Sequence, residues 1–321
     1  MRGWRPTASR ERLALRAALL TVTRDFFASR QVLEVETPLL VNAGVTDVNL
    51  RSATARLGER ELHLHTSPEY AMKRLLAAGY GDIYQLCHVV RAEERSRLHN
   101  AEFTLLEWYR LGFSMDALIK ETAALLDALL VCAGRAPRPL RALRYAQAFR
   151  DALGIDPLTA PHRVLADLTI EHGLDAATAR SMDRDGLLDF LTGAVIGPTL
   201  GQGEWLALTH YPAAQAALAR LDDEDPRVAL RFEIYADGIE LANGFEELGS
   251  ADEQRSRFEA DNRLREVRQL PPVALDEHLL AALEAGLPAC AGVALGFDRL
   301  VMVASGAAHI DEVIAFPTEN A

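Results

Sequence analysis

Apolar residues at Leu13, Ala17, Leu20 and Phe27 keep a helical spacing, so a helix is expected from a cap at Ser9 to about Arg30. "VLEVETPLL" then reads as a strand interrupted by Pro38. "ELHLHT" alternates, which predicts Leu62 and Leu64 on a core face and His63 and His65 on the other. A short helix is expected over 69–78, followed by two strands, "DIYQLCHVVRAEE" and "EFTLLEWYRLG", joined by the polar loop "RSRLHNA". Ser114 opens a helix that buries Leu118, Ile119, Leu125, Leu126 and Leu129.

The stretch 135–202 is punctuated by five prolines, shows no repeat and receives no chemistry. After it come an expected helix over 213–221, a strand pair over 228–248 and a charged helix opened by the capping box Ser250-x-x-Glu253. "GVALGFDRLVMVASG" closes the series as a strand running through glycines into a helix. Strands joined mainly by hairpins, with helices grouped between them, predict an α+β fold: an antiparallel sheet flanked by helices.

Composition narrows the class. With 321 residues, 49% of them apolar, the chain can bury a large core, and no apolar run is long enough to span a bilayer. No signal-peptide core follows the arginine-rich start, so a cytoplasmic protein is expected. Cys87, Cys132 and Cys290 are widely spaced and read as buried thiols. The net charge of −12 argues against a protein whose main task is gripping a phosphate backbone. Arg2, Arg5, Arg10, Arg12 and Arg16 form either a local basic patch or a solvated helix face. His63 and His65 have metal-ligand spacing but no third ligand near them in sequence.

The chemistry-bearing stretch is "YADGIELANGFEELG". With Asp237-Gly238 as a two-residue turn, Ala236 pairs with Ile239, Tyr235 with Glu240 and Glu233 with Ala242. Glu233 and Glu240 then lie on one face as diagonal neighbours. Two carboxylates so placed either hold a hard cation or form a solvent-exposed acidic face. Mg²⁺ takes one or two carboxylates and completes its shell with water and phosphates, so the first reading needs a phosphate site. Two stretches offer one. "VVRAEERSRLHNAEF" carries Arg91, Glu93, His99 and Asn100, and an arginine fork suits a phosphate. "GVALGFDRL" places Gly292 and Gly296 where a ligand can approach the backbone, with Arg299 at the start of a helix.

Together these segments resemble the three signature motifs of class II aminoacyl-tRNA synthetases: "VLEVETPLL" the dimer-forming first, "VVRAEERSRLHNAEF" the second and "GVALGFDRL" the third. "TSPEYAMKRLL", "TLLEWY" and "ELANGFEEL" are close to lysyl-tRNA synthetases, and the likeness spans nearly the whole chain outside 135–202. Those synthetases place an anticodon-binding domain before this core, whereas here the first helix begins almost at Met1. The expectation is a single catalytic domain over 1–321 without that domain. It resembles the stand-alone bacterial paralogue that attaches (R)-β-lysine to a lysine side chain of elongation factor P.

The resemblance implies ATP and Mg²⁺ as cofactors, elongation factor P as acceptor, no tRNA partner and a homodimer packed around Pro38. It assigns Arg91 to the α-phosphate and the substrate carboxylate, and Arg299 to the γ-phosphate beside Gly296. Glu93, His99, Asn100, Phe103, Glu240 and Leu241 would hold ATP, and Glu233 and Glu240 would hold Mg²⁺. Ser67, Pro68, Glu69, Glu107, Tyr109, Asn243, Phe245 and Glu247 would line the amino-acid pocket. Glu247 is assigned to the distal ammonium, and Tyr109 and Phe245 to the aliphatic stem. A diamino acid explains the carboxylates, because each buried ammonium needs an anionic or hydrogen-bonded partner.

Two departures from the synthetase pattern bear on specificity. Ala294 stands where glycine is expected, which narrows the pocket by a methyl worth about 1–3 kcal/mol of discrimination. In "HYPAAQAALA", Ala214 and Ala216 replace an expected glutamate and serine. Two other readings follow from the same residues. A tRNA-charging enzyme without its anticodon domain would need a basic tRNA-facing surface. A catalytically dead regulatory paralogue would be expected to have lost Arg91, Arg299, Glu233 or Glu240, and all four are present.

Overall fold

The computed structural model describes residues 4–92 and 94–321; Met1, Arg2, Gly3 and Glu93 lie outside the described residues. In chain order the first elements are α1 (Arg10–Ala28), β1 (Leu33–Glu34), β2 (Leu40–Val41), β3 (Thr54–Leu57), β4 (Arg60–Leu64), α2 (Glu69–Ala77), β5 (Ile83–Val90) and β6 (Glu102–Leu111). Then come α3 (Met115–Cys132), β7 (Leu140–Arg144), α4 (Tyr145–Leu153), α5 (His162–Glu171), α6 (Ala176–Ser181) and α7 (Arg184–Leu191). The series ends with β8 (Trp205–Pro212), β9 (Val228–Ala236), β10 (Ile239–Glu246), α8 (Ala251–Val267), α9 (Glu277–Gly286), β11 (Cys290–Gly296) and α10 (Phe297–Ser305).

The chain divides into two compact units. The first holds the described part of Met1–Ser114 together with Ala124–Pro137 and Glu247–Ala321. Its main strands run in the order β1, β5, β6, β11, with β1 parallel to β5 and the other pairs antiparallel. Side chains alternate across this sheet. One face carries Tyr84 and Trp108, against which Phe27 of α1 packs with ring centroids 4.4 and 5.4 Å away. Phe27 is fully buried, a burial worth about 1.5–3 kcal/mol. The opposite face carries Gln85 beside Glu107, Glu107 beside Ala294, and Tyr109 beside Gly292.

A polar clamp ties α1 and α10 to β6. Asp298 accepts from Arg16 at 2.5 Å and from the Thr104 backbone N–H at 2.7 Å, while Arg16 also donates to the Thr104 hydroxyl at 2.6 Å. Arg12 pairs with Glu312 at 2.5 Å. Neither Arg12 nor Arg16 therefore belongs to a solvated helix face or an unpaired basic patch; both are tied to the C-terminal part of the chain. Ser9 caps α1 as expected, accepting from the Arg12 N–H.

A second sheet of the first unit has the order β2, β4, β3. The alternation read over "ELHLHT" fails at its end, because β4 stops at Leu64 and His65 is buried while Leu64 is only half-buried. Burial lowers the pKa of His65, keeping its ring neutral. Of the three cysteines only Cys290 is buried; Cys87 and Cys132 are half-buried.

The second unit comprises Met115–Ala123 and Arg138–Glu246. Its strand order is β10, β9, β8, β7, antiparallel except for the parallel pair β7 and β8. The stretch that carried no assignment supplies β7 and the helices α4 to α7. These bury Phe149, Leu165, Leu187 and Leu191 against Leu206 and Leu208 of β8. The helix expected over 213–221 is absent: only a short 3₁₀ turn, Ala213–Gln215, forms there. The segment instead packs Ala216 and Ala219 against Phe245. Among the described residues, no helix is long and apolar enough to cross a membrane.

Candidate active site

The first unit holds seven of the expected pocket residues, Ser67, Pro68, Glu69, Glu107, Tyr109, Glu247 and Ala294, and one that sequence reasoning missed. Ser67 precedes α2, and its hydroxyl accepts from the Glu69 N–H at 3.0 Å while donating to Glu107 Oε2 at 2.7 Å. Tyr109 donates to the other oxygen of Glu107 at 2.7 Å. Pro68 holds the N-cap position without contributing a polar group. Ala294 lies across the ladder from Glu107, so its methyl belongs to the pocket face.

Gly292 has a different role from ligand approach. A Cβ there would meet the Tyr109 ring at 2.3 Å and Glu247 Oε1 at 2.5 Å, so the missing side chain makes room for the protein's own pocket groups.

Lys73 is the missed residue. One turn after Glu69 on α2, its side chain is 1% exposed, with Nζ 2.6 Å from Glu69 Oε1 and 2.7 Å from Glu247 Oε2. The Glu69 contact is a hydrogen bond; the Glu247 contact is a close ion pair whose Oε2 lacks hydrogen-bond alignment. Burial alone pushes the Lys73 pKa down, but Glu247 and Glu69 push it further up, and the ammonium stays charged. Burial raises Glu107 to about 7, with the Glu69 charge adding to it against the hydrogen bonds from Ser67 and Tyr109. Burial likewise raises Glu247 to about 8, with Lys73 pulling the other way. Three carboxylates and one ammonium thus share a buried space, an arrangement that lacks positive charge.

A cationic cluster, also in the first unit, is built by the loop after β5 and the start of α10. Arg299 donates to the Leu98 carbonyl at 3.2 Å and to His99 Nε2 at 2.6 Å. Because Nε2 accepts, the ring proton is assigned to Nδ1, which donates to Ser96 Oγ at 2.7 Å. Burial, then the charges of Arg299 and Arg91, lower the His99 pKa to about 4, so the ring is neutral. Arg91 lies 5.1 Å from the Phe103 ring centroid and donates to the Thr66 carbonyl, next to Ser67. Gly296 ends β11 directly before α10. Asn100 differs from its expected role: its amide donates to the Glu102 carbonyl at 2.6 Å and accepts from the Thr318 N–H at 3.1 Å, which braces the loop. Glu93, assigned to ATP, lies outside the described residues.

The second unit carries the hairpin residues. Asp237 and Gly238 both have positive φ, 50° and 76°, the geometry of a two-residue hairpin turn, and Glu240 pairs with Tyr235 as expected. A bulge between Glu240 and Ala242 then shifts the register, so Glu233 faces Asn243 rather than Ala242. Leu241 is the extra residue, with its side chain buried.

Glu233 accepts from Arg231 Nη2 at 2.6 Å and from the Tyr235 hydroxyl at 2.7 Å. Arg231, a second residue missed from sequence, also donates to Asn243 Oδ1 at 3.2 Å and lies 4.4 Å from the Tyr211 ring centroid. Phe245 is buried and packs with Ala216, Ala219 and Ala229. Among the described residues no group of three or more carboxylate, histidine or cysteine ligands is poised for a metal. Two carboxylates beside a compensating arginine do not make an all-protein cage; they fit a Mg²⁺ that also binds phosphates.

The family profile described as tRNA synthetases class II (D, K and N) matches residues 2–320. The chain is 51% identical over 324 residues to the elongation factor P–(R)-β-lysine ligase of Vibrio cholerae, covering 99% of this chain and 98% of that one. Identity to the ligase of the same name from Avibacterium paragallinarum is 49%, with the same coverage. For that of Haemophilus ducreyi it is 48%, over 99% of this chain and 97% of the relative. The chain therefore belongs to the class II tRNA synthetase family and, within it, to the group of the elongation factor P–(R)-β-lysine ligases.

Proposed function

We infer that this protein is an ATP-dependent ligase that activates (R)-β-lysine as an adenylate and transfers it to a lysine side chain of elongation factor P. The names of relatives about half identical over nearly their full length support the acceptor and the amino acid. The observation that carries the reading at the site is the excess of buried carboxylate around Glu69, Glu107 and Glu247, which a diamino acid would neutralise.

In the first step the substrate carboxylate attacks the α-phosphorus and the bond to pyrophosphate breaks. No general base is required, because that carboxylate is already ionised. The protein's contribution is placement and charge. Arg91 is assigned to the α-phosphate and substrate carboxylate, and Arg299, oriented by Leu98 and neutral His99, to the γ-phosphate. Phe103 is assigned to stack on adenine. Glu233 and Glu240 are assigned to Mg²⁺, which when bound neutralises phosphate charge. In the second step the acceptor amine attacks the adenylate carbonyl and AMP leaves. A homodimer and the exclusion of tRNA belong to the same proposal.

The test is the intact mass of elongation factor P after incubation with this protein, ATP, Mg²⁺ and (R)-β-lysine, with lysine tRNA present as a competing acceptor. One lysyl-sized increment on the protein with uncharged tRNA is expected. Charged tRNA beside unmodified protein would overturn the proposal in favour of a minimal synthetase, and no product on either would favour a non-catalytic role.

A further inference from the structure

We infer that Lys73 is the internal counter-ion of the amino-acid pocket, a positioning and specificity-determining residue whose ammonium fixes Glu69 and Glu247 and sets the pocket to receive a ligand with two ammonium groups. The inference rests on the activity proposed above and deepens it. Lys73 is shielded from water, so its charge is screened less than that of a surface ammonium. It bridges a carboxylate of its own helix, 2.6 Å away, and one from the segment after β10, 2.7 Å away. Neither glutamate can swing freely while that cation holds both.

Charge counting then constrains the ligand. When ionised, Glu69, Glu107 and Glu247 carry three negative charges and Lys73 returns one, leaving two. A diamino acid supplies two ammonium groups, while its carboxylate is assigned to Arg91. An amino acid with a single ammonium leaves one buried carboxylate without a partner, and that cost falls on the wrong ligand.

The experiment is ATP–pyrophosphate exchange with the full chain, reading the KM of (R)-β-lysine and of ATP separately. In Lys73→Met, which keeps an unbranched stem and removes the charge, the KM of (R)-β-lysine rises by about tenfold or more while that of ATP stays within about twofold. The double variant Glu69→Gln/Lys73→Met restores the excess of two negative charges and recovers part of the loss. An unchanged KM for the amino acid in Lys73→Met, or an equal rise for both substrates, overturns the inference.

Should Lys73→Met alone fail to fold, the comparison moves to the Glu69→Gln background. There, removing Lys73 should lower the KM of (R)-β-lysine relative to Glu69→Gln alone, and no gain overturns the inference. Wild-type protein that shows no exchange with (R)-β-lysine overturns the underlying activity as well, so the two failures are distinguishable.

Discussion

Two glutamates decide how the pocket responds to pH. Burial pushes Glu107 up to about 7 and Glu247 up to about 8, with Lys73 pulling against the rise, so around neutrality the empty pocket is partly protonated, while the ionised form of Glu247 is the one that pairs with Lys73. For stability, a carboxyl whose folded pKa is raised binds more protons in the native than in the unfolded state. The empty protein therefore loses stability as pH rises from the ordinary glutamate range through about 8. For binding the sign reverses, because an ammonium ligand favours the ionised carboxylate and expels its proton. The apparent affinity for (R)-β-lysine should rise between pH 6 and 8.5, with release of about one proton per site near pH 7. Titration calorimetry in two buffers of different ionisation heat reads that number directly. A binding enthalpy independent of the buffer would show that the carboxylates are already ionised before the ligand arrives.

Among elements, the decisive contacts are those that fix α10 and its arginine. Asp298 stands one residue before Arg299, and its carboxylate is almost fully buried between Arg16 and the Thr104 N–H. Asp298→Ala leaves a half-buried guanidinium and a buried N–H without their acceptor, a loss of about 3–5 kcal/mol. A urea unfolding curve checks the magnitude. Activity should fall with it, because α10 carries Arg299. The sequence made the elements themselves legible: the Ser9 cap, the short helix before β5, the hairpin turn at Asp237-Gly238 and the strand-to-helix junction at Gly296 all follow from local pattern. What it withheld was set at long range. The bulge falls where Leu241 and Ala242, two apolar residues in succession, interrupt the alternation, but that break alone does not say that a residue is extra or which one. Lys73 reads as a surface lysine on an amphipathic helix until Glu247, distant in sequence, reaches it. The expected helix over 213–221 had alanines to favour it, yet those alanines are held against Phe245 in an irregular segment.

For the whole molecule, the question is what covers its exposed leucines. Leu33, Leu39 and Leu40, on either side of Pro38, are 50%, 41% and 37% exposed, although short flanking strands fix their backbone. Among the described residues strand β1 pairs only with β5, so its other edge is unpaired there, a position that proteins usually protect. These residues belong to the segment that resembles the dimer-forming motif of class II synthetases, so a twofold-related copy is the expected cover. Leu39→Glu/Leu40→Glu places charges at positions that are exposed within one chain, and such changes normally alter the stability of a single chain by no more than about 0.5 kcal/mol each. In a dimer the same charges would be buried and unpaired. Light scattering on a sizing column should therefore give twice the chain mass for the wild-type protein and the single-chain mass for the variant, with a similar circular dichroism spectrum. A wild-type protein that elutes as a monomer at micromolar concentration would remove the dimer. A variant that remains dimeric would move the interface away from Pro38.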